Sequence, residues 1–194
     1  MKATALQLQG ACILEPVVHG DNRGFFMESY NEELMHKAGV NYKFIQDNQS
    51  LSSEVGVLRG LHYQLNPKAQ TKLIRVLSGV IYDVIVDIRR NSPTFGQWVG
   101  VILSEYNKRQ LLVPKGFAHG FCTLVPNTQV LYKVDQYYSP RTTAAYYGMI
   151  RHLALTGRCQ LQSCRTKMGA ILCLRMQSSI SIKYYSMNKR WANI

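Results

Sequence analysis

Hydrophobic and polar positions alternate with a period of two along much of the chain before residue 140. Val80, Tyr82, Val84 and Val86 fall on one side of an extended segment and Ile81, Asp83, Ile85 and Asp87 on the other. One face is therefore wholly apolar, while the other carries two carboxylates. Leu73–Leu77 reads as a short strand just before it, with Ser78-Gly79 as the turn between the two. Gln97–Leu103 is a mostly apolar strand, and Gln110–Val113 a shorter one stopped by Pro114. Val130–Tyr138 alternates again, which would put Tyr132 and Tyr138 on one face, roughly 20 Å apart. Only Asn31–Gly39 has helical character, with Asn31 as N-cap, Glu32 and Glu33 in the first turn and Gly39 as the stop. Many short strands, tight turns and one short helix predict an all-β sandwich or barrel, not a parallel α/β sheet.

Length changes little in this picture: 194 residues suit one compact domain with a real core. No run of eighteen apolar residues occurs, and the opening residues make a poor leader, so a soluble cytoplasmic protein with no membrane partner is expected. The net charge of +12 would suggest a nucleic-acid partner if it were spread over the chain. It is not. All eleven acidic residues lie between Glu15 and Asp135, whereas residues 141–194 hold nine Lys and Arg and no acid. The excess belongs to the tail, and no nucleic-acid binding is expected. The five cysteines are odd in number and form no CxxC pair, so they are read as free thiols and not as a disulfide framework or zinc site. Neither a GxGxxG nor a GxxxxGK[ST] nucleotide loop is present.

Four segments put charge into apolar, Gly-punctuated sequence: GDNRGFFMES (20–29), GVLRGLHYQ (56–64), the stretch 70–98 containing SPTFGQW, and VPKGFAHGF (113–121). Taken singly, each polar residue reads as an ordinary rim or surface residue. Together they do not, because alternation aims some of Arg59, His62, Gln64, Lys72 and Arg75 inward, where unpaired charge is costly. A barrel with inward cations suits an anionic ligand. A metal is not expected, since Gln64 stands where a metal-binding HxH pair would place its second histidine.

These segments resemble the dTDP-4-dehydrorhamnose 3,5-epimerase family, collinearly from about Ile13 through Pro140, with RGLHYQ, SPTFGQW and PKGFAHGF the most specific motifs. The resemblance implies a cupin-type jelly-roll β-barrel, a homodimer, a dTDP-4-keto-6-deoxyglucose substrate, and no redox cofactor or metal. The chemistry agrees with it. A ketone at C4 acidifies the hydrogens on C3 and C5, so inversion needs a base on one face of the ring and an acid on the other. His62 is the natural base, and the family pattern makes Tyr132 the acid. Lys72 can stabilise an enolate oxygen, and Arg23 and Arg59 suit a diphosphate. By resemblance Glu28, Gln46, Asn48 and His119 line the substrate site, with the ring of Tyr138 on thymine. A single-carbon 3- or 5-epimerase and a non-catalytic sugar-nucleotide-binding cupin share these motifs and stay open.

After Ser139-Pro140 the resemblance stops, which divides the chain into an epimerase-like domain, 1–140, and an aberrant basic tail, 141–194. The family continues with an acidic segment and an Asp that orients the base histidine. One codon choice for Arg141–Gly157, re-read after a single-base shift, spells ENDRGILWNDPAFGTDW, which is very like that continuation. Carried on through Arg158–Gly169, the same shift permits PVPTAILSDKDG, with an Asp of the missing kind. A frameshift is thus expected, and with it weak epimerase activity, because His62 has lost the group that fixes its tautomer and raises its basicity.

Overall fold

The structure is a computed structural model describing residues 1–145 together with two further strands at 160–164 and 171–175. Its first strands are β1 (Lys2–Ala5), β2 (Cys12–Glu15), β3 (Val18–Asp21) and β4 (Gly24–Met27), followed by the helix α1 (Glu32–Lys37). Next come β5 (Gln46–Ser52), β6 (Leu58–Gln64), β7 (Lys72–Ser78), β8 (Val80–Asp87) and β9 (Trp98–Ser104). The last are β10 (Gln110–Val113), β11 (Phe117–Thr123), β12 (Thr128–Val134), β13 (Thr143–Ala145), β14 (Gln160–Cys164) and β15 (Ile171–Arg175). The helix starts as its cap dictates, with the Asn31 side chain accepting from the Leu34 amide at 3.1 Å. Gly39 ends it at φ +83°. At the Ser78-Gly79 turn, Gly79 takes φ +87°, and a Cβ there would meet Thr128.

Two antiparallel sheets make the body. One has the order β1-β2-β10-β7-β12-β5 and the other β13-β6-β11-β8-β9, with β3–β4 and β14–β15 as separate hairpins. The main core lies between them. Ile74, Val76, Leu111, Val113 and Val130 come from the first sheet, and Ile81, Ile85, Leu103, Phe117 and Phe121 from the second. Two facing sheets with non-sequential neighbours form the expected jelly roll. Behind the six-stranded sheet, α1 and the chain after it cover Leu14, Leu73 and Leu112 with Met35 and Val40.

The β8 pattern resolves in an instructive way. Its wholly apolar side does not face the main core: Val84 and Val86 pack on the far side of the five-stranded sheet with Leu61 and Ala118. The side carrying Asp83 and Asp87 turns inward with Ile81 and Ile85. β12 also differs, since pairing stops at Val134 and Tyr138 lies beyond the strand, so the two tyrosines are not spaced along one ladder. Cys12 is free as expected, but Cys122 is disulfide-bonded. An odd count guarantees one unpaired thiol and does not forbid a bridge. The sheet itself continues beyond residue 140, with Thr143–Ala145 paired to β6.

Asp87 fixes the loop between β8 and β9. Its carboxylate accepts from Arg89 Nε at 2.9 Å and Nη2 at 2.7 Å, from Ser92 Oγ at 2.5 Å and from Thr94 Oγ1 at 2.6 Å. Arg89 also lies over the Phe117 ring, 4.5 Å from its centroid. Burial pushes the Asp87 carboxyl up, but the bonds from Arg89, Ser92 and Thr94 outweigh it and hold the group well below the usual range. Asp87→Asn should destabilise the fold by about 3 kcal/mol at neutral pH, because it strands a part-buried guanidinium. Urea denaturation measures this. The difference between the two proteins should shrink as acid protonates Asp87, since a depressed carboxyl stabilises only while ionised.

Candidate active site

A backbone irregularity at Gly60 decides which side chains enter the space between the sheets. Residues three apart on a regular strand face opposite ways. Yet Arg59 pairs with Phe121 and His62 with His119, and Phe121 faces the core, so both Arg59 and His62 point inward. The register shift between His119 and Phe121 accomplishes this. Gly60 sits there at φ +124°, where a Cβ would come 2.5 Å from Gly120 Cα and 2.7 Å from His119 O. No other residue fits.

Around His62 the structure gathers Lys72, His119 and Asp83. Lys72 shares the inward face of β7 with Ile74 and Val76, and its Nζ donates to the His62 carbonyl at 3.4 Å. Arg75, three residues on with no bulge between, faces the other way. His119 Nε2 lies 2.9 and 3.1 Å from the two oxygens of Asp83, whose side chain is 0% exposed. A carboxylate only accepts, so Nε2 carries the proton. Asp83 was not among the residues expected at the site. Its signal was legible, a carboxylate in an otherwise apolar strand, but alternation alone does not say which face turns inward.

Burial pulls the His62 imidazole from 6.5 down to about 4, and the nearby charges of Lys72 and His119 push the same way. Burial also brings Lys72 from 10.5 down to about 8, opposed by Asp83. Among the described residues no carboxylate bonds to His62. The Asp that the resemblance implies there has no counterpart in this chain, because residues 141–194 contain no acid.

Tyr132 enters from the other sheet. It pairs with Asn48 and Ile74 and packs against the main core. Burial raises its pKa, Arg59 opposes this and Tyr138 adds to it, so the phenol keeps its proton at neutral pH. Gln46 and Asn48 share its face of β5 and are joined by a 2.8 Å bond. Arg59 is steadied by Ser52 Oγ and Leu51 O, each at 3.1 Å. Tyr138 follows the strand and is tied back by its amide to Gln46 Oε1 at 3.1 Å.

Arg23 and Glu28 have other partners. They lie on the β3–β4 hairpin and just after it, where Arg23 pairs with Asp21 and Glu28 accepts from Asn31 Nδ2 at 3.1 Å. Glu28 lines a small pocket with Met1, Val17, His19, Phe26 and Leu34. No His, Cys, Asp and Glu cluster among the described residues could hold a metal. The ammonium of Lys72 beside His62 is itself unsuited to a cation site.

Comparison with known proteins identifies the family. The sequence model described as dTDP-4-dehydrorhamnose 3,5-epimerase matches residues 5–154. The chain belongs to the dTDP-4-dehydrorhamnose 3,5-epimerase family. A Shigella flexneri protein of that name is 54% identical over 140 residues, 72% of this chain and 77% of the relative. The Bacillus anthracis epimerase, solved with TDP and PPi bound, superposes with a TM-score of 0.74 at 59% identity, covering 76% of this chain and 84% of that one. The Legionella pneumophila epimerase, in complex with dTDP-4-keto-L-rhamnose, gives 0.73 at 47% identity, covering 79% and 81%. The match encloses the stretch that carries the sequence motifs, and the family is one of isomerases with the cupin-like jelly roll described above.

The His62 imidazole should titrate by NMR near 4, not 6.5. Lys72→Met should shift that titration upward, because a neighbouring ammonium disfavours a second positive charge. No shift, or a downward one, would remove Lys72 from the cause. The contribution of neutral His62 to stability is full above pH 6.5 and is lost as pH falls from 6.5 to about 4, where only the unfolded chain takes up the proton.

Proposed function

We propose that this chain epimerises dTDP-4-dehydro-6-deoxy-D-glucose at C3 and C5 to dTDP-4-dehydro-L-rhamnose. The observation that carries this reading is the placement of His62 on one sheet and Tyr132 on the other, both turned into the same interior. His62 takes the proton from the carbon beside the ketone, and the C–H electron pair moves through the new C=C bond to the C4 oxygen as an enolate. The Lys72 ammonium stabilises that oxygen. Tyr132 delivers a proton to the opposite face, the enolate collapses to the ketone, and the two side chains return to their starting states through solvent. The electron pair never leaves the sugar, so the reaction is redox-neutral and needs no cofactor.

Arg59 and Arg23 are assigned to the diphosphate, the ring of Tyr138 to thymine, and Glu28, Gln46, Asn48 and His119 to the substrate walls. We assign the protein to the cytoplasm, where sugar nucleotides are made, and to a homodimer. The β3–β4 hairpin supports that assembly, with Phe25 56% and Phe26 69% exposed beside Val17 and Val18. We assign the epimerase domain to residues 1–140 and the remainder to a tail in shifted frame. The low basicity of His62 without a carboxylate implies weak turnover for the chain as written.

The test is deuterium exchange from solvent at C3 and C5 of the keto-sugar nucleotide, followed by NMR. The measured set is the unaltered chain, His62→Ala, Tyr132→Phe and a chain re-read in the shifted frame from codon 141. His62→Ala should lower exchange at both carbons by about 100-fold or more. Tyr132→Phe should suppress inversion more than exchange. The re-framed chain should turn over faster than the unaltered one, and equal rates would refute the tail assignment. Exchange at one carbon alone would indicate a single-carbon epimerase. Nucleotide binding with no exchange in either frame would indicate a non-catalytic cupin.

A further inference from the structure

Gln64 closes the RGLHYQ motif, and nothing in the proposed reaction uses it. It is the last residue of β6, is only 7% exposed, and shares the inward face of His62 two residues earlier. Its side-chain amide is committed to backbone. Nε2 donates to Lys68 O at 2.6 Å and to Tyr137 O at 3.3 Å, while Oε1 accepts from Ser139 N–H at 2.8 Å. Two of those three bonds fall on the residues either side of Tyr138.

The segment needs such help. β12 ends at Val134, so residues 136–139 have no strand ladder to fix them. Side-chain amides stand in for one: Gln70 Nε2 donates to Gln136 O at 2.8 Å, Gln64 holds Tyr137 and Ser139, and Gln46 Oε1 accepts from Tyr138 N–H. The Tyr138 side chain itself is 56% exposed, so packing does little to place it. Its position comes from the backbone, and it stays near enough to Tyr132 to raise that phenol's pKa. A primary amide suits the task because it donates twice and accepts at once, whereas a carboxylate there would repel both carbonyls.

We infer that Gln64 is a positioning residue that holds Tyr138 at the mouth of the site and thereby sets affinity for the nucleotide half of the substrate. This rests on the proposed function, in which the Tyr138 ring meets the base. It assigns to Gln64 the binding of the thymidine diphosphate end and leaves proton transfer to His62 and Tyr132.

The experiment is a double-mutant cycle with dTDP as the probe, using calorimetry on the unaltered chain, Gln64→Met, Tyr138→Ala and the double variant. Methionine keeps the length and removes all three bonds without adding charge. Gln64→Met should weaken dTDP binding by about tenfold, within the range a base–aromatic stack supplies. In the Tyr138→Ala background the same change should add less than about twofold, because the two residues act through one contact. In the exchange assay the loss should fall on KM far more than on kcat. Additive losses in the cycle, or a fall in kcat with dTDP affinity intact, would overturn the inference and place Gln64 with His62. Amide hydrogen exchange on the unaltered chain gives a readout that needs no variant. The Tyr138 and Ser139 amides should be protected, and exchange at free-peptide rates would overturn the clamp. If the unaltered chain does not bind dTDP at all, the proposed function fails with it. If it binds and Gln64→Met binds equally well, only this inference fails.

Discussion

The close approach of Gly60 to Gly120 is the constraint on which the site depends. A strand of regular period cannot present Arg59 and His62 to the same side. Only a bulge can, and this one requires two backbones to meet where any Cβ would collide. The consequence reaches both ends of the bound nucleotide-sugar in the proposed reading. Arg59 turns toward Tyr132, where it opposes the upward pull of burial on the phenol, while His62 turns toward Lys72 and the buried His119–Asp83 pair. The shared inward turn of Arg59 and His62 is thus written into a packing requirement between two glycines.

Burial then sets the protonation states. Among the described residues, three basic groups, Lys72, His62 and His119, meet a single carboxylate, Asp83, and that carboxylate is bonded to His119. The arrangement favours an anion and disfavours a second positive charge. It keeps His62 neutral and ready to accept a proton, but at about 4 its basicity is low for abstraction from carbon. Lys72, near 8, stays charged at neutral pH and can meet a developing oxyanion. The charges of Lys72 and His119 that suit an oxyanion also weaken His62 as a proton acceptor. In the proposed reading a carboxylate bonded to His62 would offset this, and residues 141–194 contain none.

Much of this was legible in the chain. Asn31 and Gly39 marked the helix because capping is local chemistry, and Gln110–Val113 was bounded by a proline that stops a ladder. Alternation located β7 and β8, and the two-sheet architecture followed from the number and brevity of the strands. What the pattern could not supply was non-local. The wholly apolar side of β8 packs away from the main core, and the side with Asp83 and Asp87 turns inward, where both carboxylates find partners. The inward turn of Arg59 depends on a bulge whose cause is a glycine on another strand, 60 residues away in sequence.

The end of β12 shows the same limit and what it makes possible. Alternation through Tyr138 implied a continuous strand that would have held its tyrosine far along the ladder from Tyr132. The chain instead bends after Val134. A ring at the end of a rigid strand would have its distance from Tyr132 fixed by the strand repeat, whereas a ring on a bent segment can be set closer by the groups that hold the backbone. Gln46, Gln64 and Gln70 are those groups, and each comes from a different part of the chain. In the proposed reading, separating the two tyrosines into a strand residue and a clamped residue lets the barrel hold Tyr132 on a rigid ladder while hydrogen bonds to the backbone set Tyr138.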